Sequence, residues 1–341
     1  MKKIGVVLLS ALMLTSLLAG CSQPAASSQP AETKAAETQA AAAADAYPGG
    51  KNIDAIVAFA AGSATDLNLR LLASYLEDEL GTSVTVQNKE GGGGEIGWTA
   101  LANSKNDGYT IGMLNSPCFQ LPISNADTCK FTIDSFIPIG NMVTDPGCVV
   151  VAADSEINSL EDMVAYAKDH PGEITVATTG MKTSEARACN TLAAERGVQF
   201  QIVPYDGSTE AINAVVGGHC MVAWQNVGDI MTQLDQGTIK PIAVGSPERS
   251  EILPDVPTFA EQGLDFNQFS MRTLAVPAGT DPEIVKTLEA AMAKAMQNPE
   301  FIKKAEESNI LLDYQDSASM IQIYKDLDAQ WRAEWAERPW Q

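Results

Sequence analysis

Apolar residues run from Ile53 to Phe59 and predict a strand, which ends at the small-residue turn Ala60-Ala61-Gly62-Ser63-Ala64-Thr65-Asp66. Leu69, Leu72, Leu76 and Leu80 then recur every three to four residues, the spacing of one helix face, and Gly81 marks its stop. Ser83 to Asn88 reads as a second strand. Gly91 to Gly94 leads into a helix through Trp98 and Leu101, and Asn106-Asp107-Gly108 turns into a third strand from Tyr109 to Leu114. Strand and helix in this alternation build a parallel sheet with helices on its faces.

A second alternation follows Val149-Val150-Val151. Ser159-Leu160-Glu161-Asp162 caps a helix that ends near His170-Pro171-Gly172. Strands are expected at Ile174 to Ala177, Phe200 to Val203, Met221 to Trp224 and Ile239 to Val244. Helices are expected around Glu185 to Arg196 and before Gly217-Gly218. The tail reads as a strand at Leu274 to Val276, then a helix capped by Asp281 with Pro282 in its first turn and reaching Gln297. A short helix, a strand near Leu311 and an amphipathic helix from Ser317 come last. Two α/β lobes are therefore expected.

The ends change the picture. Lys2 and Lys3 precede an almost unbroken apolar run from Ile4 to Leu18, and Leu18-Ala19-Gly20-Cys21 follows, the three-part layout of an export signal over residues 1–20. The run falls short of the ~20 residues a membrane-spanning helix needs. From Ser22 to Ala46 the chain is Ala, Ser, Gln, Pro, Thr and Glu, apart from Lys34 and Asp45, with no aromatic residue, and residues 21–46 read as a disordered tether. The net charge of −21 argues against nucleic-acid partners, and it means that any anion must be held by local groups. Beyond Cys21 the cysteines are Cys118, Cys129, Cys148, Cys189 and Cys220. Export permits disulfides, Cys118 and Cys129 are the closest pair, and a bridge between them stays open. His170 and His219 stand alone, so neither metal ligation nor a cofactor is expected.

Ligands of open parallel sheets sit beyond the carboxyl ends of strands, where loops enter helices. That singles out the loops Phe59 to Asp66, Thr178 to Ser184 and Pro204 to Ser208. Each precedes a helix, whose free N–H groups and positive dipole end suit a carboxylate. The hydroxyls of Ser63, Thr65, Thr178, Thr179, Thr183 and Ser184 add donors without charge. The plain alternative is that these residues only cap helices and make turns, and capping is the expected role of Asp66. Gly91 to Gly94 lacks GxGxxG spacing and has no following Lys-Ser/Thr, so the glycines are read as permitting positive φ and close backbone approach beside the cleft.

Several segments, in this order and spacing, resemble the Bug family, the solute receptors of tripartite tricarboxylate transporters. They are Tyr47-Pro48, Ala58 through Asp66, Val86-Gln87-Asn88-Lys89, Ile96-Gly97 and Asp107-Gly108-Tyr109-Thr110. Phe136-Ile137-Pro138, His170-Pro171-Gly172, Val203 through Gly207, Gly217-Gly218, Ile252 through Thr258 and Pro277-Ala278-Gly279-Thr280 continue the series. The Leu-Ala-Gly-Cys21 sequence likewise resembles a bacterial lipobox, which implies diacylglycerol on the Cys21 sulfur. The Bug resemblance implies an α/β, two-lobe periplasmic-binding-protein fold of type II kind, each lobe a mixed, mostly parallel sheet flanked by helices. Residues 47–148 plus 270–341 make lobe 1 and residues 149–269 make lobe 2. It implies a small carboxylate held in the cleft by Phe59, Ala60, Ala61, Gly62, Ser63, Thr65 and Asp66, by Ser116, by Thr178, Thr179, Gly180, Thr183 and Ser184, and by Tyr205, Asp206 and Gly207. The implied partners are the large and small membrane subunits of a tripartite transporter, with the receptor a lipid-anchored extracytoplasmic monomer. In the first loop this chain has Ala60-Ala61 and Ser63 where the family usually has prolines and paired glycines. Lys182 and Arg272 also depart from the pattern. Lys182 reads as surface charge, while Arg272 either pairs a second ligand carboxylate or is surface charge.

An exported hydrolase is the competing class, but no G-x-S-x-G elbow is present and both histidines sit in structural settings, so no enzyme is expected. Delivery to a permease and presentation to a membrane sensor kinase share the same receptor chemistry, and the residues do not separate them.

Overall fold

A computed structural model of the chain describes residues 47–121 and 129–337. The export signal, Cys21 and the tether lie outside the described residues.

The first alternation is β1 (Ile53–Val57), α1 (Ala64–Leu80), β2 (Val84–Asn88), α2 (Glu95–Ala102) and β3 (Thr110–Ser116), with β1 paired in parallel to both β2 and β3. Local chemistry sets the ends of α1. The Ser63 hydroxyl accepts the Asp66 N–H at 3.3 Å, and Gly81 closes the helix in the left-handed region at φ 64°. Leu69, Leu72 and Leu76 are fully buried along one face, each contributing about 1.5–3 kcal/mol of apolar transfer.

β4 (Phe136–Ala152) is far longer than the Val149 to Val151 run suggested, 17 residues in all. Its first part pairs antiparallel with β9 (Phe269–Pro277) and β10 (Leu312–Asp316). Its last part, from Gly147, pairs antiparallel with β7 (Val222–Asn226) and β8 (Ile239–Val244). Between them come α3 (Leu160–Asp169), β5 (Thr175–Thr178), α4 (Ser184–Arg196), β6 (Gln201–Pro204), α5 (Ser208–Val216) and α6 (Val227–Asp235). β5 runs parallel to β6 and β7, and β9 pairs antiparallel with β3. α7 (Pro282–Gln297), α8 (Pro299–Glu307) and α9 (Ser317–Glu337) complete the chain. α6 has no counterpart in the sequence reading, because only Val227 and Ile230 of it are buried and so short an apolar stripe leaves no clear period.

The core has separate centres. One joins Trp98, Leu101, Phe119, Leu274, Leu288 and Phe301 with the other buried residues of β1–β3, β9, α1 and α7. The others gather around Trp224, Phe259 and Met163 and around Ile212, Val227 and Ile230. β4 passes between these groups at Gly147, whose N–H donates to the Gln268 carbonyl at 2.7 Å and whose own carbonyl accepts from Gly245 N–H at 2.7 Å. A Cβ at Gly147 would collide with the Gln268 side-chain amide, so only glycine lets the crossing backbones approach. No helix among the described residues is long and apolar enough to cross a membrane.

Candidate functional site

The parallel strands aim four helix starts at one place. β1 leads to α1, β5 to α4, β6 to α5 and β7 to α6, and the first turns of all four border one small cavity. Ser63 and Thr65 represent α1 there, Glu185 represents α4, Ser208 represents α5, and Asn226 with Asp229 represents α6. The cavity measures about 20 Å³, near the room one water needs. Gly207 begins α5 with no side-chain hydrogen bond to the helix, which leaves uncapped N–H groups beside the cavity, whereas at α6, where Asn226 does not cap either, the Gly228 N–H is taken by Asp145. Opposite them the polar wall is completed by Asn115 of β3 and by Ser270 and Arg272 of β9.

Ion pairing organises this wall. The Arg272 side chain is 2% exposed and donates through Nη1 to Asp145 Oδ2 at 2.8 Å, with Asp229 Oδ2 3.9 Å from Nη2. Asp145 also accepts the Gly228 N–H at 3.0 Å, which fixes the α6 start against β4. Burial is the largest influence on Asp145 and pushes its carboxyl up, against the pull of Arg272. Asp229 in turn accepts the Ala64 N–H at 3.4 Å, so an acid of one half occupies an amide of the other. Arg272 is thus not surface charge; it lines the cavity with two acids beside it.

The Thr65 hydroxyl accepts from Asn115 Nδ2 at 2.7 Å and from Arg272 Nε at 3.4 Å. With both lone pairs engaged, its O–H is left as a donor. Glu185 differs from every other acid here. It is 2% exposed, and its Oε2 has no hydrogen-bond partner among the described residues. Burial holds its carboxyl above the usual carboxylate range, only partly opposed by Thr183, its own N–H and Ser184. Asn115 Oδ1 is a second buried acceptor without a partner.

Of the residues singled out by sequence, Phe59, Ser63, Thr65 and Thr179 line the inner cavity. Gly180, Tyr205 and Asp206 line a separate pocket of about 450 Å³, together with Gly92, Gly93 and Lys182. Gly91 to Gly94 all adopt positive φ, and the Gly93 backbone packs against Gly180, the close approach expected of that run. Ala60 packs against Gly207 across the cleft, while Ala61 and Gly62 are exposed. Lys182 sits at the surface and faces Glu95 of the other half at 3.5 Å.

Asp66, Thr178, Thr183, Ser184 and Ser116 do not line the cavity. Asp66 serves the loop itself. It accepts from Gly62 N–H, Arg70 Nε and Asn88 Nδ2, each at 2.9 Å. Burial alone would raise its carboxyl, but those bonds, Arg70 first, hold it below the usual range. Thr178 and Thr183 both donate their hydroxyls to the Gly180 carbonyl at 3.0 Å, tying the loop instead of facing a guest. Ser184 bonds within the wall to Gln268 and lies 3.6 Å from the Cys118 sulfur. The Ser116 hydroxyl is fully buried and paired with Gln120, away from the cavity. Cys118 and Cys129 are both free, and burial, then the charge of Glu185, pushes the Cys118 thiol up to about 12. No cluster of His, Cys, Asp and Glu among the described residues could hold a metal.

Sequence reasoning missed Asn115, Asp145, Asn226, Asp229 and Glu185. Glu185 was within reach of it, one residue past a loop already singled out. Asp229 and Asn226 depended on recognising α6. A larger cavity, about 710 Å³, lies elsewhere, between the 246–251 loop and α8. Its charged lining is exposed, with Arg249 paired to Glu261 at 2.9 Å, and no helix start points into it.

The model of the tripartite tricarboxylate transporter family receptor, TctC, matches residues 69–337. A protein encoded in the gbd 5' region of Cupriavidus necator is 34% identical over 268 residues, 77% of this chain and 79% of that protein. BugT of Bordetella pertussis is 31% identical over 259 residues, covering 75% and 79%. Among solved structures, the periplasmic binding protein BugD superposes with a TM-score of 0.79 at 26% identity, covering 85% of this chain and 98% of that one. A TctC solute-binding protein from Polaromonas gives 0.63 at 29% identity, covering 84% and 98%.

Proposed function

This chain belongs to the tripartite tricarboxylate transporter receptor family, whose members are solute-binding receptors and not enzymes, and from that premise we propose that it captures a small carboxylate in the cleft between its halves and delivers it to the two membrane subunits of a tripartite transporter. The observation that carries this reading is the meeting of four helix starts, that of α5 without any capping side chain, around one enclosed polar cavity. Aligned N–H groups there carry fractional positive charge and suit a carboxylate. The Thr65 hydroxyl and the amides that open α5 supply donors without adding a competing cation.

In this reading residues 47–148 with 270–341 move against residues 149–269, bending at the crossings near Gly147 and Gln268. A cavity of about 20 Å³ in the closed arrangement requires such opening for any organic acid to enter. The segment before the body takes the chain out of the cytoplasm, and Cys21 carries the lipid that keeps it beside its transporter. A solved structure of the same fold, MatC of Rhodopseudomonas palustris, is described with bound malate. At 23% identity it shares the fold with this chain, and the carboxylate reading here rests on the cleft.

Calorimetric titration of the purified chain with mono-, di- and tricarboxylates, keto acids and amino acids tests the ligand class. Heat and a thermal shift with at least one small acid are expected; silence across the panel overturns the reading. Cys21→Ser is expected to move the protein from the membrane to the soluble fraction, and retention at the membrane overturns the anchor.

A further inference from the structure

The cleft holds more acid than a receptor for simple carboxylates needs. Its lining contains one guanidinium, Arg272, and two carboxyl groups, Asp229 and Glu185, and a third acid, Asp145, pairs with Arg272 from outside the lining. Asp145 and Asp229 flank Arg272 at 2.8 and 3.9 Å and share its charge. Glu185 has no basic side chain within ion-pair distance among the described residues, although it is 2% exposed and lines the cavity. Its Oε2 has no hydrogen-bond partner, and neither has Asn115 Oδ1 on the facing wall. Buried polar atoms are ordinarily paired, and two acceptors left unpaired in one cavity mark where a donor from outside belongs.

Resting on the carboxylate reading above, we propose that the guest is an amino acid, its carboxylate at the uncapped start of α5 and its ammonium between Glu185 and Asn115. Two features favour an ammonium over the single O–H of a hydroxy acid. An ammonium offers three N–H donors to a wall with several acceptors, whereas a hydroxyl offers one. A simple dicarboxylate or hydroxy acid also brings only negative charge into a site where carboxyl groups already outnumber guanidinium. A zwitterion enters with no net charge and supplies the missing counter-ion to Glu185. The position of Glu185 in the first turn of α4 gives its carboxylate a favourable dipole. That contact does not satisfy Oε2.

The test is calorimetry on the full chain in detergent with matched trios that share a carbon skeleton: aspartate, malate and succinate; glutamate, 2-hydroxyglutarate and glutarate; alanine, lactate and propionate; and the remaining standard amino acids beside their deamino acids. The amino member of the skeleton that fits is expected to bind at least ten-fold tighter than its hydroxy and unsubstituted partners. Glu185→Gln, checked for folding by circular dichroism, is expected to erase that preference while leaving the deamino acid within about three-fold of its original affinity. A hydroxy or unsubstituted acid that binds as tightly as its amino partner overturns the proposal and leaves the carboxylate reading standing. So does a preference that survives Glu185→Gln. If no acid of any kind binds, the carboxylate reading itself falls and this proposal with it.

Discussion

Arg272 on β9 and Asp145 on β4 form an ion pair of 2.8 Å in which both side chains are 2% exposed, and it lies where β4 passes from one half of the molecule to the other. Removing one member leaves the other as a buried charge without its principal partner. Asp145→Ala is therefore expected to destabilise the fold by about 3–5 kcal/mol, read from the midpoint of urea unfolding. The double variant Asp145→Leu with Arg272→Met, which removes both charges, is expected to lose less than Asp145→Ala alone. A double variant less stable than the single one would contradict this account.

Glu185 makes a pH prediction of opposite sign to the usual acid. Its folded carboxyl titrates above its unfolded value because of burial. Protonation therefore favours the folded state, and stability is lost as pH rises from the unfolded value through the folded one. Glu185→Gln should stabilise the ligand-free protein at neutral pH by about 1–3 kcal/mol, the range for an unsatisfied buried polar group. The gain should vanish below about pH 4, where the acid is protonated in both states. Thermal melts at a series of pH values read both effects.

Asp66 behaves in the ordinary way. Its folded carboxyl lies below the unfolded value, so its contribution is present above the unfolded pKa and disappears as pH falls through the folded one. Asp66→Asn is expected to cost about 1–3 kcal/mol at pH 7 and nothing in strong acid. Hydrogen exchange of the Gly62 amide should report the loosened loop.

The final helix ties the halves together. Arg187 of α4 donates to both carboxylate oxygens of Glu334 on α9, at 3.0 and 2.6 Å, and stacks 4.1 Å from the Trp331 ring. α9 is otherwise anchored in the first core group through Met320 and Tyr324. Glu334→Ala is expected to weaken ligand binding about ten-fold or more, since a charged hydrogen bond contributes about 1.5–3 kcal/mol and this one is made across the closed halves. Small-angle scattering of the variant with ligand should show a larger radius than the parent protein.

Gly97 tests the first half alone. A Cβ there would lie 2.6 Å from Ala58 Cα and 2.8 Å from the Lys89 carbonyl, both backbone atoms of the β1 and β2 ends. Gly97→Ala is expected to destabilise by about 1–3 kcal/mol through overpacking, with ligand affinity reduced because α2 supports the glycine run beside the cleft.

Much of the fold was legible because its signals are local. Leu69, Leu72 and Leu76 lie within neighbouring helical turns, and Ser63, Gly81, Ser159 and Asp281 act on amides and carbonyls a few residues away. The loops at Phe59, Thr178 and Pro204 followed from the same evidence, since a strand that ends in small polar residues before a helix can be read in one stretch of chain. β4 was legible only in its last apolar run, because its first part is broken by Pro138, Gly140 and Asn141, whose burial depends on β9 and β10.

The chain by itself determined which segments become strands and helices and which loops open onto helix starts, because hydrogen bonding and side-chain periodicity act over a few residues. Only the tertiary structure decided which donors at those starts remain free. Asp229 reaches the Ala64 amide from 165 residues away, and Asp145 meets Arg272 across 127. Ion pairs at such separations are set by how strands stack and cross, and that leaves no trace in local spacing. Glu185 was in plain view beside a predicted loop, yet its unpaired oxygen exists only because packing buried it.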